Sequence, residues 1–480
     1  MIPSDAANDD ATETVSGAEY RKLIWKLDVH LLPPLFVLWF ISLIDRVNIG
    51  TARIQGLEKD LGMNPLSNQF NIATVVVFIG LMLAEVPSNW LVKRFTPSTV
   101  LCGECIVLTL VGIFTIAQGL INNFAGLVAL RLVIGILEAG LIPGSIFLLS
   151  AYYPRYELQW RVSMLHVGNA LSNAVGGLLA YAVASIHSSN GWHGWRWIFI
   201  IEGSITIALT LLCWPFMNNW PATAKWLKPT ERDVLEERIR VDGIIGRMDV
   251  LDRRAAVRCL TDWKIYLSAF IIIGIISSVY SCTLFAPTIV SVLKPGSSAK
   301  EIQSLVIPIF VVASATTLTC AYISDKLKHR AGVALAGCFI AIVGYIVILN
   351  QERVSVNARY GALYLIASGS FAALPGAWIL LLNNVSGSYK TAFAMGMEIG
   401  LGNGGGFVAS FSFQSKAAPF YWTGFRTTFS LMCMAMGLIC LYSAGLWHEN
   451  KQKRSGKRDY LLEEEGDNLG DAHPEFIYTY

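Results

Sequence analysis

Between Leu31 and Trp447 the sequence is a train of apolar runs, each about 20 residues long and parted by short polar stretches. A helix rises about 1.5 Å per residue, so each run matches the ~30 Å hydrocarbon core of a bilayer. Backbone groups inside that core find no water to bond, which leaves the α-helix as the form these runs must take. Twelve spans are read, at about 31–50, 70–91, 99–120, 126–150, 162–186, 197–216, 267–292, 303–324, 332–350, 360–384, 392–414 and 426–447. Composition agrees, with 54% of residues hydrophobic and only 15% charged. A soluble chain of ordinary makeup carries about 25% charged residues.

Six spans precede and six follow a charged stretch, "ERDVLEERIRVDGIIGRMDVLDRR" at its heart. The expected fold is therefore an all-α membrane protein with twelve transmembrane helices in two six-helix bundles. Its parts are an N-terminal tail (1–30), a first bundle (31–218), a central loop (219–264), a second bundle (265–447) and a C-terminal tail (448–480). The start of the central loop has the pattern of an amphipathic helix lying on the membrane surface. Lysine and arginine favour cytoplasmic loops, and with the N-terminus inside most of them fall in cytoplasmic segments. Both termini are therefore expected in the cytoplasm. Residues 1–20 lack the basic start and apolar core of a cleaved leader, so none is expected.

Several function classes are disfavoured at once. A net charge of +3 gives no basis for nucleic-acid binding. The nine cysteines are scattered, mostly within apolar runs, and make no disulfide framework. Gly400, Gly402 and Gly405 satisfy GxGxxG by letter, but they sit inside a span with no strand before them. Cys102 and Cys105 form a lone CxxC, which without a second pair does not read as a zinc site. The sequon at Asn384 falls at a cytoplasmic helix end, out of reach of glycosylation. No catalytic motif, metal site, cofactor or ATP-binding loop is found.

The polar residues inside the spans carry the chemistry, since a charge at the membrane centre costs about 2.5–3.5 kcal/mol on insertion scales. The first span reads "LWFISLIDRVNIG", which brings in Asp45, Arg46 and Asn48. The fourth reads "RLVIGILEAGLIPG", with Arg131, Gly135 and Glu138 on one helical stripe. Arg131 and Glu138 lie about 10 Å apart along that axis, so each needs a partner from elsewhere. An arginine fork suits a carboxylate, and a buried acid beside it links anion binding to protonation. The bland alternative is a set of buried ion pairs that only fixes helix register. Glu85 is read as a gate or a packing residue, and Glu202 as structural or gating, with Arg196 at the mouth of its span. His166, Asn169, Asn383, Asn384 and Asn403 are candidate cavity residues. Glu398, the one acid well inside the second bundle, is either a substrate or proton residue or a packing residue.

Two six-span halves match the layout of secondary transporters, with a site near the midplane between them. More specifically, the chain resembles the Major Facilitator Superfamily, and within it the fungal allantoate-permease-like branch of the anion:cation symporter family. The resemblance runs from about Arg21 to the C-terminal tail. It rests on "LIDRVNIGTARIQGLEKDLG", "EVPSNWLVKRF", "RLVIGILEAGLIPG", "GWRWIFIIEG", "FAPTIV" and the tail "GDAHPEFIYTY". "AYISDKLKHR" is similar to the second copy of the superfamily's cytoplasmic loop motif, with Ala321 where glycine is usual. This implies gating or structural roles for Asp325 and Arg330.

The resemblance further implies proton-coupled uptake of a small organic anion by alternating access, in a monomer of the plasma membrane. Asp45, Glu138 and Arg131 then belong to proton coupling and Arg46 to the substrate. Asn48, His166, Asn169, Asn384, Glu398 and Asn403 complete the candidate substrate site. Rival readings are a proton-coupled exporter of a metabolite and a non-transporting nutrient sensor. The chain departs from the branch at the tenth span, where Leu380 stands at the usual tryptophan position and Trp378 two residues earlier. Two residues turn a helix by about 200°, so Trp378 is expected to face elsewhere. Leu81, Thr391, His166 and Glu398 are further departures, and they fall on the cavity wall rather than the proton machinery.

Overall fold

The computed structural model describes residues 17–64, 68–94, 97–153, 157–183, 193–216, 224, 226–235, 253–327, 329–465 and 469–480. Helices occupy all twelve expected spans. The first six are Gly17–Ile54, Gln69–Arg94, Pro97–Leu120, Phe124–Glu138 continued by Leu141–Ser150, Leu158–Val183 and Gly194–Cys213. The second six are Trp263–Leu293, Ala299–Leu327, Arg330–Leu349, Val356–Leu382, Ser388–Gly402 continued by Gly404–Ser412, and Trp422–Arg454. Most of the expected N-terminal tail and the middle of the central loop (236–252) lie outside the described residues.

Helix ends overrun the apolar runs where polar residues find partners. The first helix starts at Gly17, and its polar first half is tied down by Lys26 to Glu231 at 2.6 Å and Tyr20 to Glu157 at 2.8 Å. Asp28 accepts from the Tyr153 hydroxyl and from Arg161 Nε, each at 2.8 Å. The fourth span starts on Asn123, whose side chain accepts from the Gly126 amide at 2.7 Å. Asp262 caps the seventh span in the same way. Each cap satisfies one of the amides that a helix start leaves free.

Among the described residues, nine helices are, by length and composition alone, apolar enough to cross a membrane. Spans 2 and 11 pack together, as do spans 5 and 8, and these pairs join the two halves. The sides these helices turn to the seam are shielded from lipid, and Asn71, Glu85, His166, Asn169 and Asn403 are buried there.

The halves meet at both faces. On the face bearing the chain termini, Asp325 accepts from the Trp160 amide at 3.1 Å across the seam and pairs with Arg330 at 2.5 Å. On the opposite face the Asn71 amide donates to the carbonyl oxygens of Ser410 and Phe413. Within the first half, spans 2 and 4 cross at Gly80 and Gly135. A Cβ on Gly80 would come 2.7 Å from the Leu132 carbonyl oxygen, and one on Gly135 would collide with that of Val77. Gly135→Ala should therefore cost about 1–3 kcal/mol through overpacking. It is read as a lower thermal unfolding midpoint in detergent, and an unchanged midpoint would mean the crossing is looser than described.

Residues 469–480 fold back onto the terminal face of the second half. Asn384 bonds Thr479 reciprocally, amide to carbonyl in both directions at 2.8 Å. Asn450 does the same with Tyr478, at 2.9 and 2.8 Å, and the Arg330 amide donates to the Tyr480 carbonyl at 2.8 Å. Asn384, expected in the cavity, is thus a tail-binding residue. Its side chain reaches the terminal face because Leu382 ends the helix before it.

Candidate functional site

A small cavity of about 20 Å³ lies between the halves, walled by spans 1, 4, 5, 7, 10 and 11. Arg46, His166, Asn169 and Asn403 line it, together with Trp39, Tyr280 and Trp378. Sequence reasoning had brought the first four to one place. Asn48, Asn384 and Glu398 do not line it.

Asp45, Arg46, Arg131 and Glu138 are 2%, 4%, 2% and 1% exposed, so their partners must be protein groups or cargo. Both fourth-span charges take their partner from the first span. Arg46 Nε donates to Glu138 Oε2 at 2.6 Å, and Arg131 donates to the carbonyl oxygen of Arg46 at 3.2 Å. The second oxygen of Glu138, and Nε and one amino nitrogen of Arg131, have no hydrogen-bond partner among the described residues.

Asp45 points about 100° away from Arg46 around the helix, as successive residues do. One carboxyl oxygen accepts from the Thr206 hydroxyl at 3.2 Å and the other is unpartnered among the described residues. Both oxygens of Glu202 and both side-chain polar atoms of Asn48 are also unpartnered there. The first half therefore holds a second buried polar group, Asp45, Asn48, Arg131 and Glu202, behind the cavity wall. Arg196 lies apart, donating to the carbonyl oxygens of Gly119 and Ile121 at 3.0 and 2.8 Å.

The remaining candidates separate by place. Glu85 accepts from the Asn403 amide at 3.2 Å and so bridges the halves. Glu398 is wholly buried and accepts from the Ser268 hydroxyl, away from the cavity within the second half. Trp378, expected to face elsewhere, lines the cavity. The reason is that Leu374, four residues before it, lines it too, so the inward stripe of this helix runs through 374 and 378 and passes Leu380 by. Glu104 was missed. Its Oε1 fills the space a Cβ on Gly140 would need, at 2.5 Å, which fits the break in the fourth span there. A lone glutamate in an apolar run, "CGEC", was the available signal.

The family model for the Major Facilitator Superfamily matches residues 35–441. The chain belongs to the Major Facilitator Superfamily. Superfamily membership makes it an integral, multi-pass membrane protein of a transporter family. An uncharacterised transporter of Schizosaccharomyces pombe is 32% identical over 442 residues, covering 92% of this chain and 86% of the relative. A high-affinity nicotinic acid transporter of Saccharomyces cerevisiae is 25% identical over 483 residues, covering 100% and 88%. Among solved structures, a proton:xylose symporter aligns with a TM-score of 0.63 at 14% identity, over 92% of this chain and 99% of that one. The twelve-helix fold is thus that of the superfamily.

Proposed function

We propose that this transporter is a proton-coupled symporter that imports a small organic anion by alternating access, with its terminal face in the cytoplasm of a plasma-membrane monomer. The observation that carries the reading is the Arg46–Glu138 pair at the cavity, at 2.6 Å. One guanidinium there serves an internal carboxylate and faces the space a cargo would enter. An anion arriving in the cavity competes with Glu138 for the same fork of donors. A buried carboxylate that loses its cation is costly as an ion and takes up a proton instead. Anion and proton then load together, and the empty carrier returns with the ion pair restored. Asp45 beside Arg131 and Glu202 is the second proton-binding candidate. The nicotinic acid transporter among its relatives is consistent with a carboxylate cargo.

The test is proton influx into proteoliposomes that hold the purified protein and an internal pH dye, with a panel of organic anions added outside. Acidification with one anion class is the expected result. Outward proton movement on adding cargo would establish the exporter instead. Arg46→Lys should weaken the apparent affinity for the driving anion by at least about 10-fold, because a point charge does not replace a planar fork. Unchanged affinity would remove Arg46 from the cargo site.

A further inference from the structure

The stretch that follows the last span of each half folds back beneath that half. Under the first half, Lys26 of span 1 pairs with Glu231 at 2.6 Å. Trp226 stacks there on His30 and Tyr152, with ring centroids 4.5 and 6.4 Å apart. Under the second half, Lys264 of span 7 pairs with Asp471, and Asn384, just past span 10, pairs with Thr479. The two halves are repeats related by an axis along the membrane normal, so span 1 corresponds to span 7 and span 4 to span 10. Tyr152 follows span 4 as Asn384 follows span 10. The two straps therefore hold corresponding places.

They differ in strength and in reach. The side chains of Lys26 and Glu231 are 27% and 24% exposed, while those of Lys264 and Asp471 are 4% and 2% exposed. A solvated pair contributes little, whereas a buried and hydrogen-bonded one is costly to break. The second strap also ties more helices together. Asp471 joins the starts of spans 7 and 11 through Lys264 and Lys390. Tyr478 bonds the end of span 12 through Asn450, and the Tyr480 carbonyl holds the start of span 9 through the Arg330 amide.

Arg330 is where this strap meets the seam between the halves. Its amide serves the tail, and its guanidinium holds Asp325 at 2.5 Å. Asp325 in turn accepts from the Trp160 amide of the first half at 3.1 Å. Trp160 lies in the first turn of its helix, where amides have no partner within the helix. Its bond to Asp325 is therefore what shields that amide from water. Opening the terminal face breaks this bond and moves Asp325 with Arg330. The tail bears on Arg330 while anchored to spans 7, 11 and 12, so a docked tail resists that movement. A segment that binds the closed face better than the open one shifts the population toward closed.

We propose that residues 469–480 are a latch on the terminal face. Docked, they hold the Asp325–Trp160 contact shut, and their release lets that face open. The latch rests on the alternating-access reading above for its need to open, and not on the cargo, the coupled proton or the direction of transport. Those are decided by proton influx in the wild type, so the two readings fail separately.

The test is hydrogen exchange on the full-length protein in lipid nanodiscs. The Trp160 amide reads the seam, and the Thr479 and Tyr478 amides read the tail. Asp471→Asn removes the charge that docks the tail, and Asn384→Ala removes a paired amide with no change of charge. Whichever variant frees Thr479 and Tyr478 should also speed exchange at Trp160 by at least about 10-fold. Amides in the middle of span 5 should stay at the wild-type rate, which separates opening of the seam from unfolding. Coupling is reciprocal, so Asp325→Ala, which loses the acceptor at the seam, should in turn speed exchange at Thr479 and Tyr478. A freed tail beside a Trp160 amide that still exchanges at the wild-type rate would overturn the latch. So would a tail that stays protected in Asp325→Ala while Trp160 exchanges freely. A tail that remains docked in the double variant Asp471→Asn/Asn384→Ala would overturn it as well, because a latch has to open.

Discussion

Glu138→Gln should reduce proton-driven accumulation of the cargo to background while leaving exchange of internal for external cargo measurable. The amide keeps the length of the side chain and still offers an oxygen to Arg46 Nε, now 2.6 Å from a carboxylate. What it loses is the ability to carry charge in one half of the cycle and a proton in the other. Coupling is a free energy shared by two binding events, and each changes the affinity for the other by the same factor. With one partner unable to titrate, that factor becomes about unity, and the accumulation ratio becomes about unity with it. Exchange survives because it needs only the loaded carrier to change face. Glu138→Asp, which titrates on a shorter stem, should retain part of the coupling. The measurement is uptake against an imposed pH gradient, paired with counterflow in the same vesicles. Full accumulation by the Gln variant would assign the proton elsewhere, with Asp45 the next acid to change.

How far such a site can be read from sequence depends on which distances lie within one helix. The stripe that joins Arg131, Gly135 and Glu138 follows from helical period alone, as does the divergence of Asp45 and Arg46 by about 100°. The twelve spans follow from hydropathy, and the helices occupy them. Partners on other helices do not follow from period. Nothing local says that Glu138 meets Arg46, that Glu85 meets Asn403 across the seam, or that Ser268 serves Glu398.

Trp378 shows the same limit in reverse. Its angle relative to Leu380 was right, but the side of the helix that looks inward is set by neighbouring spans. Leu374 marks that side once the packing is known. Asn384 was misplaced because a polar residue near an apolar run offers no sign of whether its partner is a cargo or a strand of tail ninety-five residues on. The break after Glu138 is similar. Gly140 is an ordinary helix glycine by sequence, and only the packing shows Glu104 Oε1 from the third span in the space a Cβ would take.

Asp471→Asn should free the C-terminal tail at neutral pH, at a cost of about 3–5 kcal/mol to its docking. The wild-type carboxylate is 1% exposed and lies between two ammonium groups, Lys390 at 2.7 Å and Lys264 in direct contact. Lys390 also pairs with Asp262 at 2.5 Å, and Lys453 donates to the Asp471 and Phe476 carbonyl oxygens at 2.6 and 2.8 Å. Burial alone pushes the Asp471 carboxyl up, but Lys264 and Lys390 outweigh it and hold the group well below the usual carboxylate range. Since the docked carboxyl titrates lower than the free one, its contribution is complete above the free value of about 3.9 and is lost only as pH falls through the docked value. Acidification from neutral to about pH 5 should therefore leave the wild-type tail in place. The amide variant should release it at every pH, because two lysines then face each other with one acid fewer between them. Hydrogen exchange at the Thr479 and Tyr478 amides reads the difference directly, since each is held by an asparagine at 2.8 Å in the docked state. Protection that persists in the variant would show that Asn384 and Asn450 hold the tail without the charge cluster. Release of the wild-type tail near pH 5 would mean that the lysines do not dominate the carboxylate's environment.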